Sequence, residues 1–146
     1  MEILIVVFVI LSLIDSISFL KPSKKMKALS AIRHIASKEG FKIGSTQILR
    51  KKFKSWTPQV AIYQIKNDSS FKDMHFVREG NALILYAPMS LKYDKQFLVI
   101  QEKILLLPNS VLEIIFFQSN IAIVWNEMQG HEELLNIKTA ILNISN

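Results

Sequence analysis

No cysteine occurs in the 146-residue chain, which excludes disulfides, thiolate zinc sites and cysteine nucleophiles at once. That absence fits a reducing compartment without requiring one. Glycine is scarce too: Gly40, Gly44, Gly80 and Gly130 form neither a phosphate-cradling loop nor a dinucleotide fingerprint. There is no G-x-S-x-G elbow for a nucleophilic serine. The histidines, His34, His75 and His131, lack the i,i+4 or short-loop spacing of a metal site and fit surface or half-buried positions. His131-Glu132-Glu133 opens a helical stretch, where acids suit the helix dipole. No cofactor, metal or small-molecule substrate is indicated, and an enzyme would need a site assembled from scattered residues. Internal repeats, low-complexity tracts and flexible linkers are also missing.

Hydrophobic residues make up 50% of the chain, at the upper end for a globular protein. Part of the excess is local: Ile3 to Ile14 reads ILIVVFVILSLI, without a charge. From Ile3 to Leu20 a helix rises about 27 Å, marginally short of a hydrocarbon core of about 30 Å. Asp15 costs roughly 2.5–3.5 kcal/mol near mid-membrane and less toward an interface, which the apolar residues before it outweigh. The segment predicts a transmembrane anchor over residues 1–20, with Asp15 as an intramembrane polar contact. A cleaved secretory signal is the rival, with Ser16 and Ser18 near a cut, but Met1-Glu2 brings no side-chain base and no A-x-A pattern follows. A buried helix of a soluble domain is the third reading.

Charge is unevenly spread. Residues 21–54 carry eleven bases against Glu39, whereas residues 55–146 carry seven bases against nine acids. Lys21, Lys24, Lys25 and Lys27 crowd the exit of the apolar run, which places that flank in the cytoplasm by the positive-inside tendency.

Pro22 breaks the run and Ser23 is placed to cap a new helix. Met26, Leu29, Ile32 and Ala36 then recur at three- and four-residue spacing, widened by Ile35, predicting a basic amphipathic juxtamembrane helix over residues 21–40 that ends at Gly40. That helix packs on the following domain, lies on anionic lipid, or does both. Phe41 to Leu49 is read as the start of a sheet, and QVAIYQI (59–65) as a strand. His75–Val77 and Ala82–Ala87 form a hairpin around Glu79-Gly80-Asn81. Tyr93–Leu106 fits a helix. Val111–Phe117 and Ile121–Trp125 fit a second hairpin, and His131–Ile144 a final helix whose stripe is Leu134, Leu135, Ile137, Ile141 and Leu142. The expectation is an α+β domain over residues 41–146, with a small mixed or antiparallel sheet and a C-terminal helix.

Arg50-Lys51-Lys52-Phe53-Lys54-Ser55-Trp56 is the stretch with most functional content. Each base near an anionic membrane gains about 1 kcal/mol, and Trp56 suits the interface. Nucleic acid could use the same bases on phosphates and the aromatics for stacking, a weaker fit beside an anchor. The plain alternative is a solvated loop with Phe53 and Trp56 tucked into the core. Lys21, Lys24, Lys25, Lys27, Arg50, Lys51, Lys52, Lys54 and Trp56 are the expected contacts to a membrane surface or anionic partner.

The Leu20-Lys21-Pro22-Ser23 exit, the helix to Gly40-Phe41-Lys42, the Ala61-Ile62-Tyr63 strand and the VLEIIFFQSNIAIVWNE run from Val111 resemble a family of short, uncharacterised bacterial single-pass inner-membrane proteins. Some are labelled as an accessory subunit of the preprotein translocase, which is similar in plan. The chain differs from that subunit in having Lys21-Pro22-Ser23-Lys24 for R-P-Q-x-[KR] and in lacking its G-D-x-[VI] turn. The resemblance implies an inner-membrane location with the C-terminal domain in the cytoplasm, and transfers no catalytic residue. The function expected is a non-enzymatic, membrane-tethered domain that binds a protein partner or the anionic bilayer. A membrane-associated enzyme and an exported periplasmic domain are the alternatives.

Overall fold

The computed structural model describes residues 2–20, 24–44 and 46–145, with the side chains of residues 12–20 left outside that description. Among the described residues five α-helices and six strands follow one another: α1 (Glu2–Leu20), α2 (Lys24–Lys38), β1 (Lys42–Ile43), α3 (Gln47–Lys52), β2 (Ala61–Lys66), β3 (Met74–Glu79), β4 (Ala82–Ala87), α4 (Lys95–Ile104), β5 (Val111–Phe116), β6 (Asn120–Trp125) and α5 (His131–Ser145). Short 3-10 turns precede α4 and α5.

The strands make one sheet in the order β1-β2-β6-β5-β3-β4, antiparallel at every pairing. Period-2 alternation gives the sheet two apolar faces. One face presents Tyr63, Phe76, Leu83, Leu85, Ile114, Phe116, Ile123 and Trp125 to α2, α5 and α4, which add Ile32, Ala36, Ile100, Ile104, Ile137 and Ile141. The other face buries Ile62, Ile115, Ala122 and Val124 beneath Phe53, with Leu49, Trp56 and Val60 at its margin. The β5–β6 hairpin is buried from both sides, which explains why IAIVW is apolar at every position.

Two polar ties fix helix α2 and the β2–β3 turn. Arg33 donates from Nε and Nη2 to the two carboxylate oxygens of Glu127, each at 2.9 Å, and the buried Tyr63 hydroxyl donates to Glu127 Oε2 at 2.5 Å. The side chain of buried Asn67 donates to the carbonyls of Phe71 and Phe117 at 2.9 and 2.8 Å, and its oxygen accepts from Ser69 N–H and Oγ. This knot seats the turn on the β5–β6 hairpin. Gly80, at φ +62, supplies the left-handed residue that turns β3 into β4.

The transmembrane anchor expected over residues 1–20, and the single-pass signal-anchor topology with it, is overturned. Among the described residues no helix is long and apolar enough to cross a membrane. In the sequence of α1 the uninterrupted apolar run, Ile3 to Leu11, rises about 14 Å at 1.5 Å per residue. Ser12, Asp15, Ser16 and Ser18 follow them in the sequence. The Asp15 side chain, Lys21 and the proposed Ser23 cap lie outside the described residues. A second correction is local. Instead of a sheet start running from Phe41 to Leu49, only Lys42 and Ile43 pair with β2, and α3 follows. Thr46 decides this, its Oγ1 accepting Leu49 N–H at 3.2 Å to cap the new helix.

Candidate functional site

The basic run and its aromatic neighbours lie on the sheet face opposite the three long helices. Helix α3 ends at Lys52, and Phe53 turns inward onto Ile62 and Ile115 as the anchor of the segment. Leaving the helix would strand the N–H groups of the next residues over an apolar sheet. Glu113 resolves this: its Oε1 accepts Lys54 N–H at 2.8 Å and Ser55 N–H at 2.7 Å, and its Oε2 accepts Lys54 N–H at 3.0 Å. His75 Nε2 lies 2.9 Å from the same Oε2 and, facing a carboxylate, carries the proton of that bond. Glu113 has 0% of its surface exposed, a position that costs several kcal/mol unless a carboxylate is hydrogen-bonded this fully.

Three cations of the segment lie over rings. Arg50 lies 4.7 Å above the Trp56 ring, Lys52 5.1 Å from Phe117 and Lys54 4.1 Å from Tyr86. Tyr86 in turn meets His75 edge-on, and His75 meets Phe53. Each cation–ring contact contributes about 0.5–1 kcal/mol at an exposed site. Together they hold long, flexible side chains in fixed places while their charged heads stay exposed along with Lys51. Beside them Lys52, His75, Pro88, Ile115 and Phe117 border a shallow depression of about 460 Å³.

The structure separates the two basic groups expected from sequence. Lys24, Lys25 and Lys27 stand exposed at the start of α2, on the helix layer, whereas Arg50 to Lys54 belong to the opposite layer. Trp56 is half-buried under Arg50 and offers no free ring face on that side, which weakens base stacking as its use. His34 and His131 are exposed and distant from the clamp, and among the described residues no group of three or more His, Asp or Glu is placed to hold a metal ion.

Sequence reasoning missed Glu113, His75, Tyr86 and Phe117. One signal was available: Glu113 is the only charge in the apolar run VLEIIFF, and a lone carboxylate inside a core strand must have dedicated donors. Nothing in the local sequence announces that the donors come from residues 54 and 55. Comparison with protein-family models, with curated proteins and with solved structures returned no match.

Proposed function

We infer that the protein is a non-enzymatic binding domain whose Arg50–Trp56 segment docks on an anionic bilayer surface. The observation that carries this reading is the set of three cations lying over Trp56, Phe117 and Tyr86, beside the Glu113 clamp that holds the backbone of Lys54 and Ser55. Immobilised before binding, these heads lose little further entropy on meeting phosphates, and a planar array of headgroups asks for no deep pocket. Helix α1 gives independent support. Its consecutive apolar residues Ile3 to Leu11 are 48–79% exposed, an apolar surface that an acyl layer would cover. A cytoplasmic leaflet facing the domain fits the charge of the segment.

Vesicle cosedimentation of the full chain tests the reading. Binding should be stronger to vesicles containing anionic phospholipid than to purely zwitterionic ones and should weaken with salt. The combined variant Lys51→Gln, Lys52→Gln, Lys54→Gln should bind anionic vesicles roughly 100-fold less, at about 1 kcal/mol per base. Equal binding to both vesicle types, or no loss in the variant, would show that α1 alone drives association and would overturn the role given to the segment. Absence of vesicle binding together with capture of an acidic peptide would move the same cations to a protein partner.

A further inference from the structure

The sheet face that seats the basic segment is covered unevenly. Phe53, with Leu49, Trp56 and Val60 at the margin, closes over Ile62, Ile115, Ala122 and Val124 of β2, β5 and β6. Over β3 and β4 the same face stays in contact with water: Ile84 and Tyr86 are 42% and 43% exposed, and Val77 is half-buried. The register assigns these side chains to that face. Val77 pairs with both Glu113 and Ile84, opposed residues point the same way, and Glu113 meets Lys54 there. Tyr86 follows Ile84 by strand alternation, and its ring meets His75 on the same side.

Charge lies along one margin of this patch. Lys54 sits over Tyr86, and Lys52 sits over Phe117 across the depression bordered by Ala87, Pro88 and Ile115. Arg50 and Lys51 continue the cationic margin on α3. Against these four bases stand Asp73, which accepts from the Gln118 amide at the border of the depression, and Glu79 at the far end of β3. Glu113 faces the same side but is enclosed by Lys54, Ser55 and His75. The face therefore runs from cations, through an aromatic ring, to aliphatic side chains.

We propose that Val77, Ile84 and Tyr86 are the apolar half of the bilayer contact, and that they set how the domain sits on the membrane. The β3–β4 end of this face enters the interfacial layer, while Lys52 and Lys54 meet headgroup phosphates beside it. Anionic lipid presents the complementary order: negative headgroups, an interfacial zone that tyrosine favours, then acyl chain. It presents that order over a broad surface, which suits a face with a shallow depression in place of a groove. The helix layer, on the opposite side of the sheet, then points away from lipid. This inference rests on the membrane reading of the Arg50–Trp56 segment and adds the orientation.

The absence of cysteine allows a single reporter on the full chain. An environment-sensitive fluorophore attached to Ile84→Cys should shift to shorter wavelength on vesicles containing anionic phospholipid and be quenched by lipids carrying a nitroxide near the headgroup. The same label on Leu142→Cys, half-exposed on α5 in the helix layer, should show neither change. Circular dichroism checks that both labelled chains keep the fold. Ile84→Ser, which carries no bulky label, should bind anionic vesicles about fivefold less at low and high salt alike, since apolar contact is not screened. Cation-dependent vesicle binding with a silent label at position 84, equal shifts at the two positions, or an unchanged Ile84→Ser affinity would each overturn the orientation and leave the segment's role standing. Loss of vesicle binding altogether would remove both, and a shift at position 84 produced only by an acidic peptide would assign the face to a protein partner instead.

Discussion

His75 Nε2 stands 2.9 Å from Glu113 Oε2, and that acid has no exposed surface although it sits in the middle of an apolar strand. The pair joins β3 to β5 on the face where the basic segment is seated, so the position of Lys54 depends on a carboxylate 59 residues away.

Truncating this acid should therefore loosen the segment as well as the fold. Glu113→Ala strands two backbone donors and the imidazole, an expected loss of about 2–4 kcal/mol. Thermal melting should show a fall in Tm of roughly 10 °C. Salt-dependent vesicle binding should weaken even though no cation is removed. An unchanged Tm would refute the clamp.

Tyr63 gives the molecule an alkaline limit. Burial, then its hydrogen bond to Glu127 and the charge of that carboxylate, hold the phenol well above its ordinary value of 10.0, against a smaller opposite pull from Arg33. The folded state keeps a proton that the unfolded chain releases. Its stabilising contribution is thus complete below about pH 10 and declines above it, by up to about 1.4 kcal/mol per pH unit. Urea unfolding of the native chain and of Tyr63→Phe between pH 9 and 11 should show the native chain losing stability more steeply by that one-proton slope. Parallel curves would contradict it.

Asn67→Ala removes both donors and the acceptor from the knot between Phe71, Phe117 and Ser69. A loss of about 2–3 kcal/mol in chemical denaturation is expected. Hydrogen exchange should rise first in residues 67–73, the turn this knot ties to the β5–β6 hairpin.

Arg50→Ala should uncover the ring of Trp56 and raise its quenching by iodide. Stability should change by only about 0.5–1 kcal/mol. The other tryptophan, Trp125, is fully buried and should contribute no quenchable signal, so the change reports on one site.

Several elements were legible in the sequence for a plain reason: their signals are local. Alternation and turn residues announce β3–β4 and β5–β6, and three- and four-residue spacing announces α2, α4 and α5. The α5 stripe was drawn too wide, because Leu135 and Leu142 prove exposed while Leu134, Ile137 and Ile141 are buried. Helix α3 escaped because its cap is a single threonine bond and its composition is that of a loop. The anchor reading failed because, among the described residues, no helix is long and apolar enough to cross a membrane. At the site, Arg50, Lys52, Lys54 and Trp56 were visible as a charged aromatic run. Glu113, His75, Tyr86 and Phe117 were not, since their relation to that run is made by strand pairing across dozens of residues.

The order of the strands carries a consequence for how the chain is made. β2 and β3 are joined by a seven-residue turn yet never touch, for the β5–β6 hairpin is inserted between them. During synthesis β2 can pair only with the two-residue β1, and β3 only with β4, so the two pairs stay apart until residues 111–125 have appeared. The two halves of the sheet are bridged only by the last third of the chain. Folding is then a single late event dominated by non-local pairing, with rates toward the millisecond-to-second end of the scale. A nascent chain stopped before Val111 would expose β2 and the inner edge of the β3–β4 hairpin without the partners that cover them, the state in which a chaperone would meet it.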